Sequence, residues 1–279
     1  MASSEQKNMA FADLHIHSVF SDGKFSPEKL AEMAYKAGLK GIAVTDHDTV
    51  AGIKKARLRG TELGVEIISG VELSCEIDGC EIHILGYFAP GREDELEQKL
   101  EWYQQKREER VYEILDKLKQ NGVNLEIEHV QYFSNGKSVG RLHVAKALIE
   151  QRKVYSIHEA FSRYLGPNGV AYVPKTKLTI REAVDLIHEH QGVAVLAHPG
   201  MYQIKDVVER TLDDIDGIEV WYPEHSQRFE DELHAIALRN RLIPTGGSDF
   251  HGVGNKVYIG CVRVPYSIVT RLLEVAVGV

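Results

Sequence analysis

The chain has 279 residues, 43% hydrophobic and 27% charged, and a chain of this length buries about three quarters of its unfolded surface, enough for a core without staples. That balance excludes disordered, collagen-like and coiled-coil classes. Lys plus Arg number 33 against 41 Asp plus Glu, a net charge of −8, which excludes a global basic field for duplex nucleic acid; an anionic substrate needs a local positive centre.

Met1 to Asn8 read as a leader outside the fold. Ala12–His17 reads as a strand, and Ser26 with Pro27 opens a helix that stops at Gly38. Gly41–Thr45 is the next strand, Val50 to Leu63 a helix stopped by Gly64, and Glu66–Leu73 a third strand, a βαβαβ order that favours a parallel sheet. Glu81–Phe88 adds an extended run. Leu96, Leu100, Tyr103, Val111, Ile114, Leu115 and Leu118 then recur at helical spacing, so Glu93 to Gln120 predicts a long amphipathic helix closed by Asn121-Gly122. With the helical stretch Ser138–Glu150, this marks an inserted helical subdomain over 91–169, between barrel parts 9–90 and 170–279. Tyr103, Tyr132 and Phe133 are expected to fill its core. Thr179 and Glu182 predict a capping box for a helix ending near Gly192, followed by short strands at Val193–His198, Ile218–Trp221 and Leu242–Thr245. The two α/β halves are expected to close into one barrel.

No run approaches 18 apolar residues and no apolar leader opens the chain, which predicts a cytoplasmic protein with no membrane partner. Cys75, Cys80 and Cys261 have neither zinc-ribbon nor CxxC spacing and read as buried, inert thiols in a reducing compartment.

Histidine is unusually abundant, with 13 copies of the residue that titrates near neutrality and most often binds metals. His15 and His17 alternate on one face of a strand, where two imidazoles can chelate one ion. His188 and His190 share that spacing but fall in a helix, where about 200° separates them; they read as surface residues. Asp22, His47, Glu72, His83, His198, Asp249 and His251 fall in or beside other predicted strands, and a β/α barrel gathers strand ends into one cavity. Asp46 and Asp48 flank His47 and are candidates to orient it, with an N-cap role open for Asp48.

The motifs FADLHIHSVFSDGKFSPEKL, GIAVTDHDTVAGI, SGVELS, HILGYF, LAHPG and GGSDFHG resemble the polymerase and histidinol phosphatase (PHP) family of metal-dependent phosphoesterases. The resemblance implies a distorted (β/α)7 TIM-like barrel holding two or three divalent ions, Mn²⁺ foremost and Zn²⁺ or Fe²⁺ as alternatives. By position it assigns His15, His17, Glu72 and Asp249 to a first ion, Asp22, His47 and His251 to a second, and Glu72, His83 and His198 to a third. The insertion with GRLHVAKAL and EVWYPEHS resembles the subgroup that dephosphorylates nucleoside 3′,5′-bisphosphates and trims RNA from its 5′ end. That likeness implies catalytic and phosphate-binding roles for Arg141, His143 and His225, with Ser138 and Lys175 as further phosphate contacts. The implied chemistry is in-line attack on phosphorus by metal-bound hydroxide, on a nucleotide or short single-stranded RNA rather than duplex DNA. A histidinol phosphate phosphatase and a non-catalytic metal-binding module are the alternatives; oligomeric state stays open.

Overall fold

The computed structural model describes residues 10–78, 80–134, 139–174, 178–202, 206–254 and 256–278. The leader Met1 to Asn8, Ser138 and Lys175 lie outside them, as does the side chain of Tyr103. Contacts divide the chain into two compact units, Met1–Gln98 with Lys177–Val279, and Lys99–Thr176.

The first unit is built on an eight-stranded sheet. Its strands are β1 (Phe11–Asp13), β2 (Gly41–Val44), β3 (Glu66–Ile77), β4 (Cys80–Phe88), β5 (Val193–Leu196), β6 (Gly217–Trp221), β7 (Ile243–Gly246) and β8 (Val264–Pro265). They lie in the order β7-β6-β5-β4-β3-β2-β1-β8. Beyond β1 the chain crosses to the far edge: Leu14 N–H donates to Gly246 O at 3.3 Å, Asp249 N–H to His15 O at 2.8 Å and His17 N–H to Phe250 O at 3.0 Å. These bonds nearly close the sheet into a barrel. The crossing is so tight that a Cβ at Gly247 would collide with the backbone N and Cβ of His15.

Helices α1 (Pro27–Lys36) and α2 (Ile53–Leu63) connect the first three parallel strands. Leu30, Ala34 and Ala56 on them pack with Ile42, Val44 and Ile67 of the sheet. Ser26 caps α1 by accepting Lys29 N–H at 3.3 Å, with Pro27 in the first turn, where its missing N–H costs nothing. In the same unit α7 (Ile180–Glu189) begins at the capping box of Thr179 and Glu182, and α8 (Val207–Thr211), α9 (Gln227–Asn240) and α10 (Tyr266–Val277) complete the helices. Val269, Leu272 and Ala276 of α10 join Ala12, Leu14, Leu85, Tyr87, Val193 and Val195 in one buried cluster.

The expected end of β3 needs correction, and the direction of the extended run after it, left open by the sequence, is now defined. β3 does not end at Leu73 but runs to Ile77, so Glu72 lies mid-strand. β4 is antiparallel to both neighbours, because the short turn after Ile77 makes a hairpin rather than a crossover. His83 therefore sits in the first half of β4, which lies at the same barrel end as the last halves of the parallel strands.

The second unit contains most of α3 (Glu93–Gln120), then α4 (Ile127–Ser134), α5 (Arg141–Glu150) and α6 (Ile157–Ala160), which passes into a π-turn at Phe161–Leu165. Ile114, Leu118, Val130, Val144, Leu148 and Leu165 form its core. Arg110 and Lys117 of α3 donate to the carbonyls of Val173 and Tyr172, tying down the returning chain. Phe133 packs against this core, but Tyr132, one residue earlier and so about 100° away around α4, points to solvent, 77% exposed.

Candidate metal centre

β1 ends at Asp13 rather than at His17 as expected, and the segment beyond it, bridged at Ile16 to Phe250, carries His15 and His17 to the barrel end where Asp249 also arrives after β7. His15 Nε2 lies 3.3 Å from both Glu72 Oε2 and Asp249 Oδ1. His17 Nε2 lies 3.1 Å and 3.0 Å from the same two oxygens. None of these contacts has hydrogen-bond alignment: His15 Nε2, His17 Nε2 and Asp249 Oδ1 are buried without a partner. One ligand atom from each of His15, His17, Glu72 and Asp249 lies within 4.8 Å of the other three. Ligand bonds of about 2.0–2.1 Å separate neighbouring donors by about 2.8–3.4 Å in octahedral or tetrahedral geometry, so this quartet has the dimensions of a divalent-cation site.

Two further groups adjoin it. His251 Nε2 is 3.2 Å from Asp22 Oδ1, and His47 Nε2 is 3.7 Å from Asp22 Oδ2. His17 borders this second group, its ring stacked on His251 at 4.1 Å, with its Nε2 directed to the first. In the third group, His83 Nδ1 and His198 Nε2 approach Glu72 Oε1 at 2.9 and 3.0 Å and each other at 3.4 Å. His47 Nδ1, another buried atom without a partner, faces Glu72 Oε2 at 3.2 Å. All nine residues expected as ligands thus meet, with Glu72 at the centre. The chain between β2 and α2 makes this possible by continuing the ladder, with Glu72 N–H donating to Asp46 O and Asp48 N–H to Glu72 O.

The electrostatics follow from burying so many ionisable groups together. Burial opposes charge on His15, but the carboxylates of Glu219, Asp249 and Glu72 outweigh it and hold its pKa well above the usual imidazole range. His17 is likewise buried yet raised to about 10 by Asp249 and Glu72, and His83 to about 9 by Glu72 and Glu81. Burial wins at His47, pushed down to about 3 with the help of His17 and His83. Glu72, Asp22 and Asp249 stay well below the carboxylate range despite burial, because imidazoles surround them.

A supporting layer holds this array. Asp46 accepts from Ser18 N–H at 2.7 Å, Ser18 Oγ at 2.5 Å and Ser21 Oγ at 2.6 Å, fixing the loop that carries Asp22. Asp48 accepts from Ser74 N–H and Oγ; the cap position of α2 belongs to Gly52, so Asp48 is not its N-cap. Three partners were not anticipated. Glu219 contacts His15, Tyr222 OH donates to Asp249 Oδ2 at 3.0 Å, and Asp13 accepts from the N–H groups of Ser248 and Gly260, its pKa raised to about 6 by burial. The available signal was an acid interrupting the apolar run Ile218-Glu219-Val220.

The expected phosphate residues have other visible engagements. His225 Nδ1–H donates to Val220 O at 2.9 Å and its Nε2 accepts Gly200 N–H at 3.2 Å, so both ring nitrogens serve the backbone. Burial lowers its pKa. In the second unit, Arg141 at the start of α5 donates to Leu165 O at 3.3 Å and lies over the Phe161 ring. His143 Nδ1 accepts Gly140 N–H at 3.1 Å. Of the paired helical histidines, His188 is on the surface with Asp216 at 2.7 Å, but His190 is buried because its ring folds back to bond Leu186 O. Of the three thiols only Cys75 is buried; Cys80 and Cys261 are partly exposed.

Comparisons with known proteins agree with this picture. The PHP domain matches residues 13–165. A 5′-3′ exoribonuclease of Haemophilus influenzae is 35% identical over 245 residues, covering 86% of this chain and 89% of its own. A 3′,5′-nucleoside bisphosphate phosphatase of Chromobacterium violaceum is 31% identical over 263 residues, covering 88% and 89%. A solved structure from Bifidobacterium adolescentis, described provisionally as a metal-dependent phosphoesterase, superposes with a TM-score of 0.77 at 28% identity, covering 95% of this chain and 96% of its own. The matched domain and the relatives lead to one conclusion: the chain belongs to the PHP domain family.

Proposed function

We propose that this protein is a metal-dependent phosphoesterase that removes a terminal phosphate from nucleotides, with nucleoside 3′,5′-bisphosphates and the 5′ end of short RNA as its substrates. The observation that carries the reading is the set of buried, unpartnered atoms His15 Nε2, His17 Nε2 and Asp249 Oδ1 converging with Glu72 Oε2. His15, His17, Glu72 and Asp249 would hold a first divalent ion, Asp22, His47 and His251 a second, and Glu72, His83 and His198 a third.

Phosphate monoester hydrolysis needs accelerations of up to about 10²¹, whereas a positioned acid or base supplies about 10²–10⁴, so charge stabilisation must dominate. When bound, divalent ions would offset charge on the phosphoryl oxygens and lower the pKa of a coordinated water. The chain's own contribution is to hold the donors rigid and buried. Asp22, Glu72, Asp249 and Glu219 bring four carboxylates to this end of the barrel, and bound cations would add the positive charge that favours a dianionic phosphate. The mixed imidazole and carboxylate donors suit Mn²⁺, Zn²⁺ or Fe²⁺ better than Mg²⁺, and we assign Mn²⁺ as the working ion. The phosphate roles implied for Arg141 and His143 belong to the same proposal: Arg141→Ala and His143→Ala are expected to raise KM or lower kcat without changing Mn²⁺ content. His225, with both nitrogens engaged, fits better as a brace for the Pro199-Gly200 turn, where a Cβ on Gly200 would press on its ring.

The test is phosphate release from adenosine 3′,5′-bisphosphate, histidinol phosphate and 5′-phosphorylated RNA, after Mn²⁺ loading and in a chelated control. Preference for the bisphosphate or RNA, abolished by chelation, is expected; preference for histidinol phosphate, or equal activity in chelator, contradicts the reading.

A further inference from the structure

β6 supplies none of the nine clustered residues, yet the carboxylate at its centre, Glu219, is fully buried and serves two of them. His15 Nδ1 donates to Glu219, 3.1 Å from Oε1 and 3.3 Å from Oε2. Oε2 also accepts the backbone N–H of His198 at 2.7 Å. That second bond sits at an unusual piece of backbone. His198 has φ 23° and ψ 58°, a left-handed conformation for a residue with a Cβ that also precedes a proline. A conformation of this kind persists only where its surroundings fix it, and Glu219 is the group that grips its N–H.

We propose that Glu219 is a positioning residue shared by two cation sites: it keeps the His15 proton on Nδ1, leaving Nε2 for the first ion, and it locks the His198 turn that presents Nε2 to the third. The proposal rests on the metal-centre reading above and extends it from the ligands to the group that sets their tautomer and direction. The chemistry is that of a carboxylate behind a metal-binding imidazole: an acceptor at one ring nitrogen makes the other the electron-pair donor. One side chain reaching both His15 and the His198 backbone ties the two sites together. A buried carboxylate flanked by Ile218 and Val220 is costly to keep unless it accepts strong donors, and here it has two.

Glu219→Gln distinguishes this role from space filling, since the amide has nearly the same shape. The His198 N–H can only donate, so the amide oxygen must take the Oε2 position. The NH₂ group then faces His15 Nδ1, where a donor demands a lone pair and moves the imidazole proton to Nε2, the atom the ion needs. The same logic governs an Asp-to-Asn change behind a catalytic histidine. Glu219→Asp is the complementary variant, because it alters the shape but keeps an acceptor-only carboxylate.

The experiment is Mn²⁺ titration of the intact protein, with free Mn²⁺ read by electron paramagnetic resonance, for wild type and both variants, alongside circular dichroism of the cation-free forms. Glu219→Gln is expected to weaken at least one Mn²⁺ site by about 10–100-fold, the usual cost of an outer-shell partner. The group of Asp22, His47 and His251, which Glu219 does not touch, is expected to keep its affinity, and Glu219→Asp to bind better than Glu219→Gln. A wild-type isotherm for Glu219→Gln, or binding by Glu219→Gln equal to or better than that by Glu219→Asp, overturns the proposal; the second comparison stands even if the amide variant folds poorly. A wild-type chain that binds no Mn²⁺ overturns the metal-centre reading itself, and this inference with it.

Discussion

Asp249 reaches the centre from a left-handed backbone position, φ 52°, held by hydrogen bonds to its neighbours rather than by its own preference. Its carboxylate divides its labour: Oδ2 accepts the Tyr222 hydroxyl and Oδ1 faces the two imidazoles. Asp249→Ala removes that donor oxygen. The expected result is loss of bound Mn²⁺ by elemental analysis and a fall in phosphate release of more than about 100-fold, since even outer-shell partners are worth about 10–100-fold. Unchanged metal content and turnover would remove Asp249 from the scheme. Gly247 makes a sharper steric case, because a methyl group there meets the backbone of His15. Gly247→Ala is expected to cost at least about 1–3 kcal/mol in chemical denaturation, the scale of overpacking where neither chain can retreat. At this scale the ligands were legible because chelation has a spacing, as in His15 and His17. The supporting layer was not: Glu219 and Tyr222 act through partners about 20 to more than 200 positions away, a proximity the fold alone creates.

Among the elements, the helices were read most closely, since their signals are local. Thr179 and Glu182 form the expected reciprocal cap, with Thr179 N–H donating to Glu182 Oε2 at 2.7 Å and Glu182 N–H to Thr179 Oγ1 at 3.2 Å. Thr179→Ala is therefore expected to lower stability by about 1 kcal/mol, measured by urea denaturation, with Mn²⁺ affinity unaffected. Strand direction was harder to read. Polar residues such as Glu72, Ser74 and His83 interrupt the apolar residues of β3 and β4 without a direction-specific pattern, and the direction of β4 becomes plain only from its pairing with β3. The reversal matters to the site, since it brings His83 of β4 opposite Ser74 and beside Glu72. Ile82→Ala, at a fully buried position next to His83, is expected to cost about 2–5 kcal/mol and to weaken Mn²⁺ binding as β4 loosens; a stable variant with an intact isotherm would show that the strand does not position His83.

For the molecule as a whole, the proposed centre would reconcile a net charge of −8 with an anionic substrate, because cations held there would reverse the local sign. Without cations, protons on His15, His17 and His83 take their place. His17 and His83 are raised from an ordinary 6.5 to about 10 and about 9, so the stability they lend the cation-free protein is full below pH 6.5 and is lost as pH rises through about 9 to 10. The cation-free melting temperature is accordingly expected to fall between pH 7 and 9.5. Over the same range Mn²⁺ affinity is expected to rise as protons cease to compete, with proton release on binding at pH 7 detected by calorimetry in buffers of different ionisation enthalpy. Cation affinity independent of pH would contradict the assignment of these imidazoles as ligands. The barrel was legible from its alternation of apolar runs and capped helices. Its closure was expected too, but not the means: backbone bonds from residues 14–17 to 246–250 that lie beyond the regular strands.

The most direct test is anomalous diffraction at the manganese edge from crystals of this protein equilibrated with Mn²⁺. The account predicts a strong peak within bonding distance of His15 Nε2, His17 Nε2, Asp249 Oδ1 and Glu72, with at least one more peak among Asp22, His47 and His251 or among His83, His198 and Glu72. A well-ordered barrel with these side chains in place and no peak among them would contradict it.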